Sequence, residues 1–269
     1  MNPMLNIAIR AARKAGNIIA KAYEQSPQEM QVAQKGHHDY VTAIDKAAEQ
    51  AIIQTIHASY PEHSIVGEES GAIVGTNTDV QWVIDPLDGT TNFIKRFPHF
   101  AVSIAVRVEG RTEVGVVYDP MANELFTAVR GKGAKLNEFR LRVDNERRDL
   151  NGAVLATGFP FKAARHQKTH LNMIEAVLNK GVADFRRTGS AALDFAYVAA
   201  GRVDGYFEIG LKPWDCAAGD LIAREAGAIV TNFVGGTDYL TSGNVVVGNG
   251  RVVKDILGCF QPILTDDLK

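Results

Sequence analysis

The sequence has few of the features that mark special classes of protein. Only two of its 269 residues are cysteines, Cys216 and Cys259, and they lie far apart. Two distant cysteines without an export signal are typical of reduced thiols, so we expect a cytoplasmic protein without a disulfide framework. No uninterrupted apolar run is long enough to span a membrane. Polar and basic residues are spread through the N-terminus, unlike the pattern of a secretory signal.

An excess of one charge is also lacking. The 29 Lys and Arg residues nearly balance the 31 Asp and Glu residues, and the formal net charge is −2. The composition therefore provides no electrostatic basis for binding nucleic acid. No repeat or low-complexity segment is visible, and Gly131 and Gly133 lack the spacing of a dinucleotide fingerprint or a P-loop. The length and the hydrophobic content of 46% are those of an ordinary globular protein with a sizeable core.

The most informative stretch is Gln81–Phe93. Its apolar beginning predicts a buried strand, which Pro86 and Gly89 then break. Asp85 and Asp88 lie at this break, where poorly solvated carboxylates repel each other unless a cation or a proton intervenes. Mg²⁺ prefers oxygen ligands and often binds one or two carboxylates together with phosphate oxygens of a substrate. The stretch is therefore a candidate metal site.

The residues after this break are suited to an anion. Gly89, Thr90 and Thr91 offer hydroxyls and backbone N–H groups, and a helix that begins there would place its N-terminus at the anion. Metal ligands beside an anion site indicate an enzyme that handles phosphate. The alternative is a polar turn in which Asp and Gly act as turn formers. This run of residues alone does not separate the two interpretations.

Two further motifs accompany this stretch. Gly67-Glu68-Glu69-Ser70 precedes it, and Trp214-Asp215 follows it at the start of an Ala- and Gly-rich helix. Together the three motifs resemble the inositol monophosphatase family of magnesium-dependent, lithium-inhibited phosphatases, in the family's order and spacing. The similarity runs from the first helix to about Gly250. It implies an α/β fold with mixed sheets, the layered α-β-α-β-α sandwich of the inositol monophosphatase and fructose bisphosphatase superfamily.

The resemblance also implies a reaction and its metal ligands. The reaction is hydrolysis of inositol 1-phosphate to myo-inositol and phosphate by a metal-activated water, with two or three Mg²⁺ ions. One ion would be bound by Glu68, Asp85 and the Leu87 carbonyl, and another by Asp85, Asp88 and Asp215. A homodimer is the usual state in the family.

Three residues are implied as the catalytic group. By the resemblance, Glu68 and Thr90 orient the attacking water, and Asp45 supports them. The residues themselves allow simpler interpretations. Thr42 and Asp45 fit a capping box at a helix start, an acidic turn such as that at Glu68 is usually solvated, and the helix macrodipole favours an acid such as Asp215 in a first turn.

The resemblance places the substrate against both halves of the chain. The implied contact residues are Asp88, Gly89, Thr90, Thr91, Arg186, Gly189, Ser190, Ala191, Glu208 and Asp215. Paired arginines on a surface usually do nothing specific, but Arg186 precedes a Gly-Ser-Ala turn at a helix start and could steer a phosphate or hold an acidic loop. A strand carboxylate such as Glu208 most often faces outward.

The polar segment 28–40 contains Lys35 and the adjacent His37 and His38. Adjacent histidines without cysteines at ligand spacing are weak support for a zinc site, so we expect them to be solvated. In the family a lysine of this loop approaches the active site, and Lys35 is the matching candidate.

Three segments resemble a bacterial branch of the family in particular, namely Asn2–Ile7, Asn92–Arg96 and Arg186–Leu193. Members of that branch also act in transcription antitermination and ribosomal RNA maturation, with NusA, RNA polymerase and RNA as partners. The resemblance therefore implies a second, regulatory role. The remaining alternatives are a sugar bisphosphatase or a 3′-nucleotidase of the superfamily, and a protein whose role does not depend on catalysis.

We expect one domain over residues 1–269 with two halves, about 1–145 with the metal motifs and about 150–269 with the substrate side. Apolar periodicity predicts helices over 2–24, 41–59, 165–180 and 251–260, one ending at Val198, and one over 214–226. It predicts strands at 64–67 and from Gln81, a hairpin over 100–119, and strands at 124–129, 153–158, 204–209, 228–233 and 244–247. The segments 28–40 and 71–80 are predicted to be polar loops.

Overall fold

The computed structural model describes residues 2–25, 32–36 and 39–269. His37 and His38 lie outside the described residues, and Lys35 lies in a short described strand. Among the helices of the described residues, none is long and apolar enough to cross a membrane.

Eight α-helices occur in the described part of the chain. Their bounds are α1 (Pro3–Glu24), α2 (Ala43–His57), α3 (Thr90–Ile94), α4 (Gln167–Leu178), α5 (Ala191–Ala199), α6 (Pro213–Glu225), α7 (Tyr239–Ser242) and α8 (Gly250–Phe260). The six helices that periodicity predicts are confirmed to within about two residues at the predicted ends. Periodicity did not indicate α7, which is a single turn.

The same described residues also contain fifteen β-strands. Their bounds are β1 (Val32–Gly36), β2 (Asp39–Thr42), β3 (His63–Gly67), β4 (Gly71–Ile73), β5 (Asn77–Asp88), β6 (Ala101–Val108), β7 (Arg111–Asp119), β8 (Glu124–Val129), β9 (Gly133–Leu136), β10 (Phe139–Arg140), β11 (Val154–Thr157), β12 (Asp184–Arg186), β13 (Gly205–Glu208), β14 (Ile229–Thr231) and β15 (Val245–Gly248). The hairpin predicted over 100–119 is confirmed as β6 and β7, which turn at Glu109 and Gly110.

The strands form two mixed sheets and the small ribbon β1-β2. The first sheet has the order β10-β9-β8-β7-β6-β5-β3-β4, and only β3 and β5 pair in parallel. The second has the order β12-β11-β13-β15-β14, with β11 parallel to both of its neighbours.

The helices separate and cover these sheets, which confirms the layered α-β-α-β-α sandwich. Helices α1 and α2 pack on each other and on the outer face of the first sheet around one apolar core. Helices α5 and α6 lie between the two sheets in a second core. Helices α4 and α8 cover the far side of the second sheet in a third core.

Two predicted loops contain strands. The segment 71–80 was predicted to be an exposed loop, but it contains β4 and the start of β5, and 28–40 contains β1. These strands are short or polar, so their hydrogen-bonding partners rather than apolar alternation stabilise them. The strand from Gln81 also continues past its predicted break at Pro86, because a bulge between Asp85 and Asp88 accommodates a residue that has no N–H to donate.

A close approach in the central helix layer predicts a difference between two glycine substitutions. A Cβ on Gly219 of α6 would lie 2.5 Å from the Cβ of buried Phe195 on α5, whereas a Cβ on exposed Gly258 of α8 would meet nothing within 4 Å. We expect Gly219→Ala to lower the free energy of unfolding by about 1–3 kcal/mol through overpacking. Gly258→Ala should raise it by about 0.5–1 kcal/mol through helix propensity. Urea unfolding of both variants checks this, and equal shifts of one sign would contradict the packing.

A buried histidine gives the fold a pH dependence. His170 of α4 is fully buried between the rings of Phe159 and Phe207, and its Nδ1 has no hydrogen-bond partner among the described residues. This burial lowers the pKa of His170 from 6.5 to about 4. Below the ordinary pKa of histidine, His170 binds a proton in the unfolded chain but stays neutral in the folded chain. The contribution of His170 to stability therefore falls as the pH drops from about 6.5 towards 4.

We expect this effect to appear as a pH-dependent difference between the wild type and His170→Met. At about pH 5, His170 should lower the free energy of unfolding of the wild type by about 2 kcal/mol relative to its value at about pH 7.5. The penalty of the substitution should therefore be smaller by that amount at the lower pH. Because all other groups titrate in both proteins, urea unfolding at the two pH values isolates the histidine. A penalty that is the same at both pH values would show that His170 is not held neutral.

Candidate functional site

A cavity of about 720 Å³ lies where the two halves of the chain meet. The first half contributes the end of β5 and the start of α3, and the second half contributes the starts of α5 and α6 and the segment 158–163. The predicted site residues that line the cavity are Glu68, Asp85, Leu87, Asp88, Gly89, Thr90, Thr91, Gly189, Ser190, Ala191, Glu208 and Asp215. Among the predicted residues whose side chains the structure describes, Asp45 and Arg186 are the two that do not line it.

Three carboxylates from distant parts of the chain converge in this cavity. Asp85 and Asp88 lie at the bulge of β5, and Asp215 lies in the first turn of α6. One carboxylate oxygen from each lies within 4.8 Å of the other two. Glu68 lines the same cavity without belonging to this group of three, and its charge adds to the raised pKa of both Asp85 and Asp88.

The electrostatics of this group favour a cation. Burial raises the pKa of Asp85 well above its usual range, and the neighbouring acids Glu68, Asp88 and Asp215 raise it further. Burial likewise raises the pKa of Asp88 and of Asp215 to about 7. Carboxylates so placed either hold protons or gain a positive ion between them. A cluster of hard carboxylate oxygens fits a divalent cation such as Mg²⁺.

Local hydrogen bonds shape the loop between the strand and α3. The Leu87 N–H donates to Asp85 Oδ1 at 2.9 Å, which closes a tight turn after the strand. Gly89 then has a φ of 102°, a conformation that disfavours any residue with a side chain. Its position is also crowded, since an added Cβ would lie 3.1 Å from the His99 carbonyl oxygen. Helix α3 begins directly after it at Thr90, which meets the condition for an anion site stated from the sequence.

Asp45 supports Thr90 from outside the cavity. The Thr90 hydroxyl lies 3.0 Å from Asp45 Oδ1 and 3.1 Å from the Leu87 carbonyl oxygen. The other oxygen of Asp45, Oδ2, accepts hydrogen bonds from the N–H and hydroxyl of Thr42 at 2.8 and 2.5 Å. One oxygen of Asp45 therefore completes the capping box of α2 and the other meets Thr90, so the capping role leaves an oxygen for a role at the cavity. Burial raises the pKa of Asp45.

Arg186 is not brought to the cavity. It is exposed and pairs with Asp184, whereas Arg187 lines the cavity with its guanidinium 5.3 Å from the Phe161 ring centre. The prediction chose the wrong member of the arginine pair. Strand β12 ends at Arg186, so Arg187 lies in the turn that follows the strand, and of these two exposed arginines it is the one that lines the cavity.

The second-half carboxylate Glu208 does face the cavity. It accepts a hydrogen bond from the Tyr206 hydroxyl at 2.5 Å, and burial raises its pKa to about 7. Sequence reasoning missed Asp194, which also lines the cavity, is 2% exposed, and accepts a hydrogen bond from the Thr188 hydroxyl at 2.7 Å. The available signal was one acid in an otherwise apolar helix segment.

Basic and aromatic residues also line the cavity, and they were not predicted to belong to the site. The basic residues are Lys95, Lys162, Arg187 and Lys212, and the aromatic ones are Phe159 and Phe161. The cations partly offset the acidic floor, and Lys162 and Lys212 lower the pKa of Asp215 against the effect of burial. The cavity therefore combines an acidic floor with a basic rim, a lining that would suit a divalent cation together with an anion such as phosphate.

Comparisons with known proteins agree with this geometry. Residues 1–261 match the model of the inositol monophosphatase family. The Nus factor SuhB of Escherichia coli is 65% identical over 269 residues and is covered, like this chain, over 100% of its length. The crystal structure of the extragenic suppressor protein suhB from Bartonella henselae has a TM-score of 0.94 at 41% identity and covers 98% of this chain and 100% of its own. The inositol monophosphatase from Anabaena has a TM-score of 0.86 at 34% identity, covering 97% and 96%.

Proposed function

This chain belongs to the inositol monophosphatase family, and we propose that it is a Mg²⁺-dependent, lithium-inhibited phosphatase that hydrolyses inositol 1-phosphate to myo-inositol and phosphate. The observation that carries the proposal is the group of carboxylates formed by Asp85, Asp88 and Asp215 beside the N–H and hydroxyl groups of Gly89–Thr91. A Staphylococcus aureus relative that is 29% identical has been solved with inositol monophosphate bound and also with 2′AMP bound, which supports a small phosphate ester as the substrate class.

The metal ligands would be the three grouped carboxylates together with Glu68 and the Leu87 carbonyl. This set offers enough oxygen atoms for two or three Mg²⁺ ions, with water and phosphate oxygens completing the coordination. When bound, the ions would supply an activated water and stabilise the charge on the leaving oxygen. The raised pKa values of Asp85, Asp88 and Asp215 support this assignment, because each carboxylate is stabilised as an anion when positive charge is added.

Thr90 would orient the attacking water together with Glu68. A hydroxyl has a single proton to donate, and Asp45 Oδ1 lies 3.0 Å from the Thr90 oxygen. When that proton points to Asp45, the lone pairs of the Thr90 oxygen face the cavity and can accept a hydrogen bond from water. This is the support that we propose for Asp45.

The substrate would lie between the two halves. The backbone N–H groups of Gly89–Thr91 would hold phosphate oxygens, and Gly189, Ala191 and Glu208 would contact the inositol hydroxyls. We assign to Arg187 the steering role predicted for Arg186, since Arg187 is the one at the cavity. Asp194 also lines the cavity, but none of these contacts requires it.

The first experiment is phosphate release from inositol 1-phosphate with and without Mg²⁺, with Li⁺ in a third arm. Fructose bisphosphate and a 3′-nucleotide serve as alternative substrates. Release that requires Mg²⁺, falls with Li⁺ and is confined to the inositol ester would support the proposal. Release from an alternative substrate alone would favour a sugar bisphosphatase or a 3′-nucleotidase. No release from folded, Mg²⁺-binding protein would favour a role that does not depend on catalysis.

We also propose a regulatory role in transcription antitermination and ribosomal RNA maturation, with NusA, RNA polymerase and RNA as partners. The supporting observation is full-length identity of 65% to a relative named Nus factor SuhB. Exposed Arg186 is a candidate contact, because it is not committed to the cavity. A catalytically inactive variant that still supports antitermination in a reporter assay would show that the two roles are separate. Loss of both activities in that variant would show that the regulatory role depends on the catalytic site.

We propose a homodimer, as is usual in the family, and one domain over residues 1–269 made of two halves that share the cavity. Sedimentation analysis checks the dimer. A single cooperative unfolding transition, seen by both fluorescence and circular dichroism, checks the domain.

A further inference from the structure

One of the cavity carboxylates is bonded across the two halves of the chain. Asp88 ends β5 in the first half, yet its Oδ2 accepts hydrogen bonds from the Ser190 hydroxyl and the Ala192 N–H at the start of α5, both at 2.7 Å. Both donors bond the same oxygen. Oδ1 of Asp88 is therefore the oxygen left for a ligand in the cavity.

The donor side of this contact is firmly placed. Ser190 is 1% exposed and is the N-cap of α5, where its Oγ also accepts from the Leu193 N–H at 3.4 Å. The turn before it is held against the first half as well, because the Asn92 side chain donates to the Thr188 carbonyl at 2.8 Å. The Ser190 hydroxyl thus belongs to a fixed helix start and is already engaged with a carboxylate.

We propose that Ser190 is a positioning residue that orients the Asp88 carboxylate towards the cation, and that its hydroxyl does not contact the substrate. The inference rests on the proposed function, in which Asp88 is a metal ligand. Rotation of an aspartate carboxyl group about its last torsion is soft, so hydrogen bonds to one oxygen decide where the other points. Partners that hold a metal ligand in this way typically change metal affinity or activity by about 10–100-fold when removed.

The role differs from the substrate contact that the family resemblance implies for Ser190. A substrate contact would affect the KM for inositol 1-phosphate and leave Mg²⁺ binding alone. A positioning role affects Mg²⁺ binding, even without substrate, and leaves that KM nearly unchanged at saturating Mg²⁺. The two roles are therefore separable by measurement.

The test compares Ser190→Ala with Ser190→Thr, which keeps the hydroxyl, and with Thr188→Val. Thr188 is a matched control because it lies two residues before Ser190 on the same turn, and its hydroxyl also donates to a buried carboxylate, that of Asp194. Mg²⁺ affinity is measured by calorimetry without substrate, and melting temperature in chelator reports folding. If Ser190→Ala does not fold, Ser190→Cys keeps the size with a weaker donor and takes its place.

We expect Ser190→Ala to weaken Mg²⁺ binding about 10–100-fold with its KM within about twofold of wild type, and Ser190→Thr to stay within about threefold of wild-type Mg²⁺ affinity. Thr188→Val should lower the melting temperature and keep Mg²⁺ affinity. Unchanged Mg²⁺ affinity in Ser190→Ala, or an equal loss of Mg²⁺ affinity in Thr188→Val, would overturn the inference. The proposed function would still stand in that case, provided that the wild type binds Mg²⁺ and hydrolyses the substrate. Wild-type protein that binds no Mg²⁺ would overturn both.

Discussion

Replacing Asp88 with Asn is expected to lower kcat for the phosphatase reaction about a thousandfold or more while leaving the fold intact. The change removes a negative charge from the carboxylate group in the cavity without altering the size of the side chain. The Asn oxygen can still accept the hydrogen bonds that Ser190 and Ala192 give to Oδ2. The amide nitrogen then occupies the position of Oδ1, and an N–H group cannot bind a cation. Loss of several kcal/mol of charge stabilisation corresponds to a rate change of this size.

The measurement is kcat across a range of Mg²⁺ concentrations, together with Mg²⁺ affinity and melting temperature in chelator. Asp79→Asn is the matched control, since Asp79 is an exposed acid on the same strand and lies outside the cavity. The control should keep wild-type activity. An Asp88→Asn variant with near-normal phosphatase activity would refute the metal assignment. In chelator we expect its melting temperature to be no lower than that of wild type, because a buried carboxylate with a pKa raised to about 7 costs the metal-free fold stability.

Thr90→Val is the second change with a large expected effect, a loss of about 100-fold to 1,000-fold in kcat with a smaller change in KM. Valine keeps the shape of threonine and removes the hydroxyl that lies 3.0 Å from Asp45 Oδ1. A group that orients or accepts a proton in the reaction is typically worth about this much. The KM should change less, because the backbone N–H groups that would hold the phosphate remain.

Thr90→Ser separates the hydroxyl from the methyl group. It should stay within about tenfold of wild type in kcat, because its hydroxyl can make the same bond to Asp45. Thr90→Val also leaves the buried Asp45 Oδ1 without its hydrogen-bond partner, which should lower the free energy of unfolding by about 1–3 kcal/mol. Melting temperatures therefore accompany the kinetics. If Ser and Val variants were equally impaired, the hydroxyl would not be the functional group.

The two kinetic predictions address different parts of the site. Asp88→Asn should reduce Mg²⁺ affinity and kcat together, whereas Thr90→Val should reduce kcat with Mg²⁺ affinity nearly unchanged. A pattern in which both variants lose Mg²⁺ affinity would make Thr90 part of the metal support. The Mg²⁺ affinities of the two variants therefore test the proposed division between metal ligands and water-orienting residues.

Much of the architecture was readable from local patterns. Helices α1, α2, α4 and α8 follow from apolar spacing of three and four residues, because each buries one face against a sheet. The hairpin of β6 and β7 follows from alternation and a turn at Glu109-Gly110. Strand β4 and the start of β5 were predicted as loop, because hydrogen bonds to neighbouring strands decide short polar strands.

The composition of the loop at Asp85 and Asp88 predicted where two carboxylates lie, and it left a metal site and a polar turn equally open. An apolar run, a proline, a glycine and two acids at Asp85 and Asp88 place carboxylates at a strand end whatever the rest of the chain does. The resemblance then added Glu68 and Asp215, whose places in sequence are far from the loop. That Asp215 comes within 4.8 Å of the other two acids depends on α6 lying between the sheets.

The sequence by itself determined the order of the motifs and the succession of helices and strands, because these depend on local composition and spacing. The family and its layered α/β fold followed from the resemblance that the motifs carry. Only the tertiary structure decided which arginine faces the cavity, since the end of β12 sends Arg186 to solvent and leaves Arg187 at the site. It alone showed that the Ser190 hydroxyl bonds Asp88, because that contact joins residues 102 apart along the chain. Contacts across such separations arise from packing the two halves together, and no local pattern encodes which atoms then meet.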